Sequence, residues 1–123
     1  MIDHAVVGTT PALFATTVKF YEKALAPLAY KKISEMPDKA CGFGSAAPDF
    51  WVFANGQSDT PSHVALRAED REAVSKFHEA AVEAGGKDNG EPGVRQHIHP
   101  NYFAAFVHDP AGNNVEVVCH NAE

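Results

Sequence analysis

Two histidines and one glutamate occupy apolar, strand-like segments of the sequence. His4 lies within residues 2–7, His63 begins residues 63–66, and Glu116 stands between two valines. An unpaired carboxylate is costly to bury, and a metal cation is one of the few neighbours that stabilises it in such a strand. Two imidazoles and one carboxylate also hold non-haem iron and catalytic zinc, with coordination positions left open for water and substrate. The three residues therefore predict a divalent metal site.

An internal repeat favours a joint role for these residues. Taken singly, a histidine at a strand start is usually a surface or hydrogen-bonded core residue, and a glutamate in a terminal strand usually faces water. However, Lys-Phe-Tyr-Glu at 19–22 recurs as Lys-Phe-His-Glu at 76–79, and His4 matches His63 with a nearly equal offset. Equivalent positions in two copies of one unit are better explained by a shared site than by chance.

Each half of the chain reads as a strand, a helix and about three more strands. Helices are predicted after caps at Thr9-Thr10 and at Asp70, and the second ends at Gly85-Gly86. The predicted strands are 2–7, 29–34, 41–44 and 50–53, then 63–66, 95–99, 102–108 and 115–120, with a loop at 85–93. We expect an α+β fold in a single domain, with two βαβββ units at about 1–56 and 61–123. A polar stretch at 57–61 separates the units, and their apolar sheet faces form a shared, cupped and partly open barrel.

Composition narrows the possible partners. The 123 residues include 10 Lys and Arg against 16 Asp and Glu, a net charge of −6, which argues against nucleic acid and anionic membranes as partners. We predict no signal peptide, no membrane span and a cytoplasmic location. Cys41 and Cys119 form no CxxC pair, so both are expected to be reduced.

A second polar cluster lies at residues 95–102. If 95–99 is extended, Arg95, His97 and His99 share one face that suits a carboxylate, phosphate or enolate oxygen. Tyr102 is then a candidate hydrogen-bond donor or general acid. The alternative is a polar loop whose histidines face solvent. Trp51, the only tryptophan, is either a wall of the substrate pocket or a core residue.

The sequence resembles the vicinal oxygen chelate superfamily, which comprises glyoxalases, bleomycin resistance proteins and extradiol dioxygenases. The resemblance rests on Ile-Asp-His at 2–4, on Ser-His-Val-Ala-Leu at 62–66 and above all on Asp-Pro-Ala-Gly-Asn-Asn-Val-Glu at 109–116. It implies a cupped sheet around a divalent ion (Zn, Fe, Mn, Ni or Co), with His4, His63 and Glu116 as ligands. It also implies a homodimer, in which a partner covers the open sheet edges.

One departure from the family pattern concerns the fourth ligand. Glyoxalase I-like members take a second carboxylate from the last strand of the first half, where this sequence has Trp51. Asp49, the nearest carboxylate, stands two residues away at the strand edge. The resemblance therefore disfavours lactoylglutathione lyase and points toward the three-ligand extradiol dioxygenases and the thiol transferases that inactivate fosfomycin.

Two classes of function stay open at this point. The first is a metal-dependent enzyme that acts on a small oxygen-rich or aromatic metabolite by lyase, isomerase, thiol transferase or dioxygenase chemistry. The second is a binding protein of the bleomycin-resistance type, which sequesters a small molecule without catalysis. The intact set of His4, His63 and Glu116 favours the enzyme, because sequestration does not need it.

Overall fold

Both halves of the chain fold into the predicted order of elements. The computed structural model describes residues 1–55 and 61–123. The first unit contains β1 (Ala5–Gly8), α1 (Pro11–Ala24), a short 3-10 helix (Ala26–Leu28), β2 (Lys31–Met36), β3 (Ala40–Gly44) and β4 (Phe50–Phe53). The second contains β5 (His63–Arg67), α2 (Arg71–Glu83), β6 (Lys87–Val94), β7 (Phe103–His108) and β8 (Asn114–Cys119). The α+β class and the two βαβββ units are thus confirmed. The predicted polar connection at 57–61 lies, except for Pro61, outside the described residues.

Both helices begin at the predicted caps. The Thr10 hydroxyl accepts the Leu13 N–H at 3.3 Å, and the Asp70 carboxylate accepts the Ala73 N–H at 2.8 Å. Gly85 ends α2 with a φ of +100°, a backbone conformation that favours glycine. In the described part of the chain, neither helix is long and apolar enough to cross a membrane.

The two units form two sheets of matching topology. Their strand orders are β1-β4-β3-β2 and β5-β8-β7-β6. In each sheet the first strand of the unit pairs in parallel with the last strand of the unit, β1 with β4 and β5 with β8. In the first sheet Val6 pairs with Trp51, and in the second Ala65 pairs with Glu116. Each of these β1 and β5 residues follows a histidine by two positions, so Trp51 occupies the place in the first unit that Glu116 occupies in the second.

One hydrophobic core joins the two units. It contains Phe20 and Tyr21 of α1, Phe77 of α2 and the helix-facing residues of both sheets, and α1 packs directly on α2. Hydrogen bonds also cross between the units. The Tyr21 hydroxyl donates to Asp109 at 2.6 Å, and the Asn113 side chain donates to the Gly8 carbonyl at 3.0 Å. Since one face of each sheet packs toward this core, the other face is left for the site.

The second strand of the second unit, β6, differs from the prediction. β6 covers Lys87–Val94, where the sequence predicted a loop, and residues 95–99 form a turn instead of a strand. Gly90, Pro92 and Gly93 make this segment resemble a loop. β6 is an edge strand of its sheet, and its register shifts on both sides of Gly90. Edge strands with bulges accommodate glycine and proline.

Candidate functional site

Glu116 and His63 lie on the sheet face opposite the shared core. His63 pairs with Asn114 across the parallel strands and Ala65 pairs with Glu116, so all four side chains point to the same face. Glu116 is only 3 % exposed. Its Oε1 lies 3.2 Å from His63 Nε2, and its Oε2 accepts the Tyr102 hydroxyl at 2.5 Å. The buried carboxylate predicted from the valine-rich strand is therefore present, with a polar partner on each oxygen.

The His63 ring is oriented by its other nitrogen. Nδ1 lies 3.0 Å from the Asn114 carbonyl, which can only accept a hydrogen bond, so Nδ1 carries the proton. In the neutral imidazole, Nε2 then presents a lone pair toward the Glu116 oxygen. Two acceptors face each other stably only if a proton or a metal ion lies between them. Two ligand atoms about 2.1 Å from one ion are about 3.0 Å apart at an octahedral angle and about 3.4 Å apart at a tetrahedral angle, so the 3.2 Å separation fits a shared metal ion.

Tyr102 serves as a donor at neutral pH. Burial raises the pKa of the Tyr102 phenol to about 12, and the hydrogen bond and the charge of Glu116 act in the same direction. The residue lies just before β7, where its backbone N–H donates to the His99 carbonyl at 3.1 Å. Its hydroxyl is thus held protonated against the Glu116 carboxylate.

The turn that follows β6 brings part of the predicted polar cluster to this face. The Asn101 N–H donates to His99 Nδ1 at 3.1 Å, so His99 Nε2 carries a proton and donates to His120 Nδ1 at 2.8 Å. The rings of His99 and His120 both contact Tyr102 edge to face. Within the same turn, His97 is exposed. His99 and Tyr102 are therefore neighbours, whereas His97 points to solvent.

Phe106 is a site residue that the sequence reasoning missed. A tight turn over 109–112, as the sequence suggests, would put Ala105 opposite Glu116. Its partner is instead Phe106, because the turn covers residues 109–113 and is one residue longer. The Phe106 ring stacks on the His63 ring with centroids 6.3 Å apart. The same Phe106 ring also contacts Arg95, whose guanidinium carbon lies 5.4 Å from the ring centre. The Asp109 N–H donates to the Asn113 carbonyl and closes a five-residue turn. Counting five residues in this turn places Phe106 opposite Glu116.

His4 lies in the equivalent position of the first unit, one residue before β1. Its Nδ1 is 2.7 Å from the Asp3 carboxylate, and half of its side chain is exposed. This face of the first sheet is apolar and open. An open groove of about 420 Å³ is lined there by Asp3, His4, Met36, Pro48, Trp51 and Phe53.

His4 does not join His63 and Glu116 in a single chain. Among residues 1–55 and 61–123, no three His, Cys, Asp or Glu side chains are grouped to hold one metal ion. The structure instead places the candidate ligands at two topologically equivalent positions, one in each unit. One carries His63 and Glu116, and the other carries His4 beside Trp51.

Solved structures share this fold over nearly the whole chain. A glyoxalase/bleomycin resistance protein from Albidiferax ferrireducens T118 superposes with a TM-score of 0.80 at 24% identity, covering 97% of this chain and 98% of that one. A glyoxalase/bleomycin resistance protein/dioxygenase family enzyme from Burkholderia phytofirmans PsJN gives a TM-score of 0.73 at 14% identity, covering 98% of both chains. Lactoylglutathione lyase from Agrobacterium tumefaciens gives 0.67 at 17% identity, covering 97% of this chain and 92% of that one.

At the level of sequence, no protein-family model and no curated protein matches the chain. The structural matches at these identities establish the fold. The chain therefore has the fold of the glyoxalase/bleomycin resistance protein/dioxygenase family, as its sequence motifs predict.

Proposed function

We propose that the protein is a divalent-metal-dependent enzyme that acts on a small oxygen-rich or aromatic metabolite, with His4, His63 and Glu116 as metal ligands. The observation that carries the proposal is the approach of His63 Nε2 to Glu116 Oε1 at 3.2 Å on one sheet face. The remaining polar atom of each residue is already occupied, by the Asn114 carbonyl and by Tyr102. Such hydrogen bonds to the outer atoms of ligands are typical of metal sites.

The third ligand, His4, is proposed to come from a second copy of the chain. Its Nδ1 faces the Asp3 carboxylate, which leaves Nε2 for a metal ion, as in His63. Within one chain it does not meet the other two ligands. The face around it exposes apolar side chains, with Val6 37%, Met36 47% and Phe53 40% accessible. A homodimer would cover this face and complete the ligand set twice, with the site between two copies and not within one chain as the sequence predicted.

The surrounding residues support chemistry at a substrate oxygen. A bound divalent cation, whether Zn, Fe, Mn, Ni or Co, would supply a Lewis acid that stabilises negative charge on that oxygen. Tyr102 remains protonated, orients Glu116 and is the proposed proton donor. Arg95 and His99 border the same face and are proposed to contact the substrate. Trp51 of the other copy in the dimer and His97 in the exposed turn are proposed to contact it as well.

The reaction is proposed to belong to the lyase, isomerase, thiol transferase or dioxygenase class. Lactoylglutathione lyase itself is disfavoured, because Trp51 stands at the position equivalent to Glu116 and an indole cannot ligate the ion usefully. The likeness to the Agrobacterium enzyme extends to the fold and does not alter this argument.

A second candidate function is metal-independent binding of an apolar small molecule. The open groove of about 420 Å³ beside Trp51 and Phe53 favours it, since aromatic walls suit a flat ligand. In that case the His63 and Glu116 contact would be an ordinary ion pair with the proton on Nε2.

Metal titration of the full-length protein separates the two candidates. We expect the parent chain to bind Zn²⁺ or Co²⁺ and Glu116→Gln to bind it at least about tenfold more weakly, because the only anionic ligand is lost. Glu72→Gln, a change of the same kind on the exposed surface of α2, should bind metal as the parent does. Equal affinity of the parent and Glu116→Gln would reject the metal site and favour the binding protein.

Mixing variants tests whether the ligands come from two chains. His4→Ala and Glu116→Gln should each lose metal binding alone. After co-refolding, mixed dimers contain one site with His4 from one chain and His63 and Glu116 from the other. Random assortment should then restore about a quarter of the parental sites. If the mixture binds no more metal than the separate variants, the shared site is wrong.

A further inference from the structure

Arg95 has a side chain that is fixed beside the proposed site. It follows β6 and folds back over that strand, where Nη1 donates to the Gly93 carbonyl at 2.8 Å and Nη2 donates to the Glu91 carbonyl at 2.9 Å. Its guanidinium carbon lies 5.4 Å from the centre of the Phe106 ring. Two backbone carbonyls and one aromatic face thus hold a side chain that otherwise has many rotamers.

Two glycines of β6 leave the space that this conformation uses. A Cβ atom at Gly90 would lie 3.2 Å from Arg95 Nη2 and 2.8 Å from Phe106, and a Cβ at Gly93 would lie 3.2 Å from Nη1. Larger residues would crowd the guanidinium away from the strand. The bulged, glycine-containing shape of β6 therefore matches this position of Arg95.

Phe106 connects Arg95 to the two candidate ligands. The ring contacts the guanidinium and also stacks on His63, and Phe106 is the register partner of Glu116. The positive charge also reaches Tyr102, because it opposes the rise that burial and Glu116 cause in the pKa of the phenol. Arg95 thus belongs to the same sheet face as the proposed metal ligands.

No carboxylate of the described residues forms an ion pair with Arg95. The two carbonyls use two of the five guanidinium N–H groups, and the others can bind a ligand. A cation that is fixed in place and lacks an acidic partner among the described residues is well suited to an anionic ligand.

We propose that Arg95 binds a carboxylate group of the substrate, while the rest of the substrate extends over Phe106 toward His63 and Glu116. This inference names a substrate class for the site and rests on the proposed function for the chemistry, although carboxylate binding itself needs no metal. Guanidinium and carboxylate form parallel, charge-assisted hydrogen bonds, and a neutral amide of the same shape cannot reproduce them.

A titration with benzoate and its neutral isostere benzamide tests the proposal. Binding to the full-length protein in EDTA is followed by NMR chemical shifts, which suit weak ligands. We expect benzoate to bind at least about tenfold more tightly than benzamide, and Arg95→Met to remove that preference. Arg71→Met is the matched control, because Arg71 also packs 5.1 Å over a phenylalanine ring, Phe103, and should retain the preference. Equal binding of the two probes, or an unchanged preference in Arg95→Met, would overturn the proposal.

Metal affinity of the same variant keeps this inference separate from the proposed function. Arg95→Met should bind Zn²⁺ as the parent does, because no ligand is altered. If the parent binds no metal but prefers benzoate through Arg95, the carboxylate site stands and the metal enzyme falls. If the parent binds metal but shows no preference for benzoate over benzamide, the metal site stands and the role of Arg95 is refuted.

Discussion

The Tyr102 hydroxyl lies 2.5 Å from Glu116 Oε2, on the side of the carboxylate away from His63. Tyr102 precedes β7 and Glu116 lies in the middle of β8, so the bond connects the turn after β6 to the neighbouring strand. This arrangement leaves Oε1 as the oxygen that faces His63, and it ties the position of the carboxylate to the conformation of the turn.

Tyr102→Phe should separate metal binding from turnover. All three proposed ligands remain, so at saturating metal we expect the metal content to stay within about twofold of the parent, even though the lost bond to Glu116 weakens the affinity. Loss of the donor should lower turnover of an identified substrate by about tenfold to a hundredfold. Metal analysis and steady-state kinetics on the same preparation measure both effects. Tyr30→Phe removes a comparable hydroxyl, bonded to Asp49 at 2.7 Å, and serves as the control. Full turnover by Tyr102→Phe would show that the hydroxyl has no part in the reaction.

Alkaline pH should destabilise the fold. Burial raises the pKa of Tyr30 and of Tyr102 to about 12, and Tyr21 is shifted well upward by burial and by Asp109. In the unfolded chain these phenols ionise near pH 10. Their contribution to the free energy of unfolding is therefore complete below about pH 10 and is lost as pH rises toward about 12. Urea unfolding at a series of pH values measures the slope.

Single tyrosine variants identify the source of that slope. Tyr102→Phe removes one of the raised groups, so its stability should fall less steeply than that of the parent between about pH 10 and 12. A parent whose stability is constant over this interval, or a variant with an identical slope, would contradict the assignment.

Much of the fold could be predicted because the signals were local or repeated. Thr10, Asp70 and Gly85 mark helix ends through their own backbone and side-chain chemistry, and each lies within a helix end predicted from the sequence. The prediction for β6 was wrong, because Gly90 and Pro92 have the local propensity of a loop although an edge strand accommodates both. The division at about 1–56 and 61–123 into units of a single domain remains a prediction, since residues 56–60 are not described.

The site could be predicted only as far as register and turn length allowed. Alternation along β8 puts Glu116 on the face opposite to Val115 and Val117, as the register shows. The position of Phe106 depends on a five-residue turn held by Asp109 and Asn113. Residue propensities indicate that a turn is present, but they do not fix its length. Whether His4 meets His63 is decided by how two units pack, which no pattern within either unit encodes.

Asp109→Ala should strongly destabilise the protein. The buried carboxylate accepts hydrogen bonds from Tyr21 (2.6 Å), from the backbone of Ala111 (2.9 Å) and from the backbone and side chain of Asn113 (2.9 and 3.0 Å). Removing it leaves several buried donors unsatisfied, for which we expect a loss of about 3–5 kcal/mol in the free energy of unfolding. Chemical denaturation measures this loss. Tyr21→Phe removes only one of the bonds and should cost about 1–3 kcal/mol. If both variants lose the same stability, the turn contributes less than this network implies.

Trp51→Glu should strengthen metal binding. Trp51 pairs with Val6 as Glu116 pairs with Ala65, and His4 precedes Val6 by two residues as His63 precedes Ala65. A carboxylate at position 51 is therefore placed toward His4 as Glu116 is placed toward His63, and it would give the proposed dimer site a fourth ligand. Trp51→Gln is the matched variant, because it removes the same indole and adds a side chain of the same size without charge. We expect Trp51→Glu to bind Zn²⁺ at least about tenfold more tightly than Trp51→Gln in equilibrium titrations. Phe53→Glu, two residues further along the same face, should give no such gain. Equal affinities for the glutamate and glutamine variants at position 51 would mean that the position around His4 does not face the metal, and the equivalence of the two units would then be structural without being functional.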